Sequence, residues 1–163
     1  MRLPPGLCLV GVWLALTSLL HAASIEATLR LEGAAEKLTV QSAPTGRRPN
    51  GHRRAVLHAT VDEPLTGHWT CRGKDGGPAT DVLVHFFVVR EDQLNQSRVP
   101  RLLPDRVVIE SALTMDFQAH NTAKANLSFK VHQPGYYLVR VEAQGPDASE
   151  LTEDAAALDL EVK

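Results

Sequence analysis

Val82-Leu83-Val84-His85-Phe86-Phe87-Val88-Val89 is the stretch on which the reading of this chain turns. Its residues are mostly β-branched or aromatic, and Arg90-Glu91-Asp92 closes it. Eight such residues favour a strand over a helix. Val82, Val84, Phe86 and Val88 take one face. Leu83, His85, Phe87 and Val89 take the other. A strand that is apolar on both faces belongs in the middle of a fold, covered on each side.

The flanking sequence repeats the strand signal. Upstream, Gly67 to Cys71 reads as a short strand, and Lys74-Asp75-Gly76-Gly77-Pro78 turns the chain into the central stretch. Ala55 to Val61 is another strand, closed by Asp62-Glu63-Pro64. Ile25, Ala27, Leu29 and Leu31 alternate with polar residues, turn near Gly33, and return through Leu38 and Val40 as a hairpin. Downstream, after a connection holding Pro100 and Pro104, the apolar row is Val107, Ile109, Leu113, Met115 and Phe117. Leu127, Phe129 and Val131 repeat it. Tyr137, Val139 and Val141 follow, with Arg140 and Glu142 expected outward. Pro146 to Glu153 is polar and acidic, room for one helical turn. Leu158, Leu160 and Val162 make a last strand. About nine short strands with regular turn signals predict an all-β sandwich. No internal repeat or second domain interrupts the pattern.

The amino terminus predicts a destination. Arg2 precedes an apolar run from Gly6 to Leu20, which exits through His21-Ala22-Ala23-Ser24. This is the layout of a secretory signal peptide, and the run is short of the roughly 18–20 residues that span a bilayer. Residues 1–23 are therefore expected to be cleaved, leaving 24–163 as one secreted or periplasmic domain with no membrane span. Cys8 leaves with the signal. Cys71 is then the only thiol, so packing rather than a disulfide must hold the domain together. Cleavage also removes Arg2, leaving sixteen basic side chains against nineteen acidic ones, a net charge of −3. Such a balance provides no field for nucleic acid.

Gln133-Pro134-Gly135-Tyr136-Tyr137-Leu138-Val139 resembles the entry to strand F of immunoglobulin-like domains. There a tyrosine hydroxyl bonds back to the backbone at the corner; Tyr137 holds that place. Val139 stands where antibody-type domains place a cysteine, so the bridge of that family is missing. Exported bacterial immunoglobulin-like domains, which commonly lack it, are a closer likeness. Asp75-Gly76-Gly77-Pro78-Ala79 before Val82-Leu83-Val84 is similar to their hairpin. The resemblance implies an immunoglobulin-like β-sandwich of about seven to nine antiparallel strands. It does not imply one function.

The chain contains no nucleophile elbow, zinc-binding His pair or phosphate-binding glycine loop. No enzyme activity and no cofactor are expected, although a site assembled from distant residues leaves no motif. His58, His68, His85, His120 and His132, with Cys71 and Met115, carry the donor types that copper or zinc prefers. A copper or zinc carrier built on His85, His68, Cys71 and Met115 is therefore one reading, although no close spacing pre-organises such a site. The leading reading is a monomeric, exported, non-catalytic binding module for a cell-surface protein or glycan. Its candidate contacts are Arg47, Arg48, Arg53 and Arg54 around an Asn-Gly turn, and Tyr136. The loops Thr45 to Arg54 and Glu91 to Arg106 would carry them. Trp69 is expected in the core. Asn95-Gln96-Ser97 and Asn126-Leu127-Ser128 fit the glycosylation pattern.

Overall fold

The computed structural model describes residues 25–42, 54–73, 76–94, 103–145 and 154–163. The predicted signal peptide, the turn at 146–153, Asn95 and three of the four arginines (Arg47, Arg48, Arg53) lie outside them. Among the described residues the chain forms nine strands and one 3₁₀ turn, Pro104–Arg106. No helix among them is long and apolar enough to cross a membrane.

The strands are β1 (Ile25–Glu32), β2 (Lys37–Gln41), β3 (Val56–Ala59), β4 (Leu65–Gly73), β5 (Ala79–Glu91), β6 (Val107–Phe117), β7 (Ala123–Phe129), β8 (Gly135–Gln144) and β9 (Asp154–Val162). They build two sheets, ordered β2-β1-β4-β7 and β3-β9-β8-β5-β6. All neighbours run antiparallel except β3 and β9. The β1-β4-β7 and β9-β8-β5 orders reproduce the A-B-E and G-F-C orders of the immunoglobulin fold. β5, the stretch that opens the sequence reading, pairs with β8 on one side and β6 on the other.

Period-two alternation builds the core. Ile25, Ala27, Leu29 and Leu31 of β1 share a single apolar layer with Val82, Val84, Phe86 and Val88 of the opposite sheet, where β1 itself lies over β8 and β9. Trp69 is fully buried and stacks on Phe86, with ring centroids 5.3 Å apart; Phe129 meets Phe86 at 5.6 Å. Gly67 makes room for that stack: a Cβ there would lie 2.7 Å from the Phe86 ring. Tyr137 closes the corner as the resemblance implied, its hydroxyl donating to the Gln133 carbonyl at 2.8 Å. Val139 is fully buried two residues later.

One carboxylate fastens two turns together. Glu63 accepts from the Ala34 amide at 2.7 Å and the Thr60 amide at 2.9 Å. Those bonds, Thr60's first, hold its carboxyl below the ordinary carboxylate range.

Three local expectations are corrected. β4 runs nine residues, beyond the five expected. Val107 does not share a face with Ile109: the ladder shifts between Val88–Ile109 and Val89–Val107, leaving Val108 as an extra residue. This bulge turns Val107 to the outer face, where it packs against the cluster of Phe87, Val89 and Leu138. Arg140 is on the outer face but is buried there, with its guanidinium 5.7 Å above the Phe87 ring.

Candidate binding face

The two outer faces differ in chemistry. On the four-stranded sheet the outward residues of β1, β4 and β7 are Glu26, Thr28, Arg30, Glu32, Thr66, His68, Thr70, Arg72, Lys124, Asn126 and Ser128. They pair polar to polar across the strands. Arg72 bonds Glu26 at 2.8 Å and Thr66 meets Ser128 at 3.1 Å. A solvated sheet face has this composition. Asn126, with its glycosylation pattern, is exposed on it.

The outer face of the five-stranded sheet is apolar and charged at once. Phe87, Val89 and Leu138 are buried on it, and Ala157 packs against them. Register places Val56, Asp159, Leu138, Val89 and Val107 in one row across five strands. In the next row stand Glu161, Tyr136 and Glu91. Asp159 is 1% exposed, and Arg54 holds it with an Nε–Oδ1 distance of 2.6 Å. Arg106 bonds Asp92 at 3.0 Å. Glu91 lies in the field of Arg54, Arg106, Asp159 and Asp92. The ends of both loops singled out in the sequence therefore converge on one half of this face.

Four large apolar side chains are exposed among the described residues: Leu83 at 37%, Leu103 at 46%, Val108 at 48% and Tyr136 at 37%. Leu83, Val108 and Tyr136 sit on β5, β6 and β8 of the five-stranded sheet. Leu103 begins the 3₁₀ turn that enters β6. None is on the four-stranded sheet. Leu83 lies at one end of the β5–β8 ladder and Tyr136 at the other, beside Glu91.

Burial raises the Glu91 carboxyl above its ordinary value of 4.5, and Arg54 and Arg106 oppose the rise only in part. The folded state thus takes up this proton more readily than the unfolded chain. The stability it contributes is complete below pH 4.5 and is lost as pH rises through the folded-state value. Glu91→Gln is therefore expected to flatten the fall in thermal midpoint above pH 4.5 without lowering stability at neutral pH. Thermal melts of both proteins across a pH series check this.

The remaining sequence candidates fall in different places. Tyr136 is exposed on the outer face of the five-stranded sheet. Arg54 is not a free loop contact: its side chain is spent on Asp159, which fixes the end of the arginine loop to β9. The four proposed metal donors do not come together. His68 is outward on the four-stranded sheet and His85 is outward on the five-stranded one, against Phe87. Cys71 and Met115 lie in and against the core between them. No group of three or more His, Cys, Asp or Glu suited to a metal occurs among the described residues. Burial pushes the Cys71 thiol up to about 12. Native protein of residues 24–163 is therefore expected to leave a thiol reagent unreacted at mildly alkaline pH, with one equivalent titrating on unfolding. A colorimetric thiol assay with and without denaturant measures it.

A shallow groove of about 470 Å³ lies at the opposite end of the sandwich. Asp116, Gln118, His120, Asn121, Thr122 and Lys124 line it, and all are exposed. Sequence reasoning missed this groove and the burial of Glu91 and Asp159. No motif marks them, because each depends on pairing between distant strands.

No protein-family model matches the chain, and no curated protein matches it in sequence. Solved structures similar to it include the CARDB domain of PF1109 from Pyrococcus furiosus, at 11% identity and a TM-score of 0.45, covering 85% of this chain and 94% of that one. The C-terminal domain of wzt is similar at 10% identity and a TM-score of 0.46, covering 83% and 70%. A Niemann-Pick type C2 protein from the Japanese carpenter ant is similar at 11% identity and a TM-score of 0.40, covering 74% and 88%. The strand order above makes the chain an all-β, immunoglobulin-like sandwich.

Proposed function

We propose that this chain is exported and acts as a non-catalytic binding module for a cell-surface protein or glycan. The partner docks on the outer face of the five-stranded sheet. One observation carries this reading: every large apolar side chain exposed among the described residues is on that face or at its entrance. Leu103, Val108 and Tyr136 supply the apolar contacts. The ion pairs Arg54–Asp159 and Arg106–Asp92 hold the ends of two loops beside them, so the surface is partly set before binding. Mixed apolar and polar character of this kind is usual for non-obligate interfaces.

The test is co-sedimentation with isolated cell-envelope fragments. Wild-type protein pellets with them. Leu103→Ser combined with Tyr136→Ala stays in the supernatant while keeping its thermal midpoint, since both side chains are exposed. Equal pelleting of wild type and variant contradicts the assignment of the face.

A further inference from the structure

β6 is the longest edge strand of either sheet among the described residues. β5 pairs with one of its sides, and no strand among the described residues pairs with the other. The remaining edges, β2, β3 and β7, run five, four and seven residues against the eleven of β6. An open edge presents a row of backbone donors and acceptors, and natural sheets blunt it with charged side chains, Pro, inward charge or a β-bulge. On β6 the bulge at Val108 is confined to the start of the strand; from Ile109 to Met115 there is no Lys, Pro or inward charge, and the one acid, Glu110, points outward. Its inward row, Ile109, Ser111, Leu113 and Met115, is only half-buried, leaving apolar surface along the seam at the edge.

We infer that this edge pairs with β6 of a second copy, antiparallel across a two-fold axis at Ala112. The regular stretch of the ladder and the positions of the acids favour that register. The ladder to β5 is regular from Ile109 to Met115, between two register shifts, and Ala112 is the midpoint of this stretch. Pairing about Ala112 sets Ile109 opposite Met115, Glu110 opposite Thr114 and Ser111 opposite Leu113. No acid meets an acid. Moving the axis to Glu110 would set that carboxylate against its own copy. Moving it to Leu113 would oppose Glu110 and Asp116. Like charges directly opposite are unfavourable on a sheet. A two-fold pairing closes the assembly at two copies and joins the five-stranded sheets into one of ten. The dimer replaces the monomer expected from the sequence, and it leaves the outer face of each copy available for its partner.

Analytical ultracentrifugation over a rising concentration series reads the assembly, and cysteine cross-linking reads the register. Opposed residues of an antiparallel pair are about 4.5–5.5 Å apart between Cα atoms, within disulfide reach. Buried Cys71 does not compete for the new thiol. Under oxidation, Ala112→Cys is expected to form covalent dimer roughly tenfold faster than Glu110→Cys. Thr114→Glu, an exposed change that faces Glu110 of the second copy, shifts the protein to monomer with its thermal midpoint unchanged. Wild type that stays monomeric throughout the series overturns the inference. So does Glu110→Cys cross-linking as fast as Ala112→Cys, or a Thr114→Glu protein as dimeric as wild type.

Discussion

Replacing Arg54 with alanine lowers the unfolding free energy by roughly 3–5 kcal/mol at neutral pH, the usual loss when one partner of a buried ion pair is removed. Asp159 is 1% exposed and sits in mid-sheet between β3 and β8. Without the guanidinium at 2.6 Å its carboxylate stays desolvated and loses that charged partner. Exchanging both partners for apolar residues, Arg54→Met with Asp159→Leu, recovers most of the loss. Urea unfolding of the three proteins at neutral pH measures these differences. A loss below about 1 kcal/mol, the scale of an exposed pair, would show that the pair is solvated rather than buried.

Trp69→Ala removes the largest fully buried side chain, and an expected loss of about 3–5 kcal/mol follows from the cavity it leaves. The site has little capacity to collapse. Phe86 is pinned between the Trp69 ring and Phe129, and the close approach of Gly67 to its edge bars it from that side. Trp69→Phe should cost much less. It keeps a ring against Phe86 and removes an indole N–H that has no hydrogen-bond partner among the described residues. Denaturant unfolding monitored by far-ultraviolet circular dichroism orders the three proteins as wild type, Trp69→Phe, Trp69→Ala. An alanine variant as stable as the phenylalanine one would contradict the packing described.

The strands and their inward rows were legible because strict alternation has one structural meaning. The Tyr137 corner was legible because Pro134-Gly135 fixes its start. Val107 was misplaced because a one-residue bulge leaves the alternation in the sequence unbroken while reversing the side chain. Arg140 read as outward, but on the five-stranded sheet the outward side chains of Phe87, Val89 and Leu138 bury one another and Arg140 lies among them. Arg54 was legible only as a member of a basic loop, because its partner lies 105 residues away. The four metal donors share a donor type and not a face: alternation assigns His68 and Cys71 to opposite faces of β4.

The central claim is that the outer face of the five-stranded sheet meets the partner. Hydrogen–deuterium exchange of the exported chain, with and without isolated envelope fragments, tests it most directly. The account predicts added protection in peptides covering Leu83–Glu91, Leu103–Glu110 and Gly135–Leu138, with β1, β2 and β7 unchanged. Protection confined to β1, β2 and β7 would place the contact on the polar sheet and contradict the account.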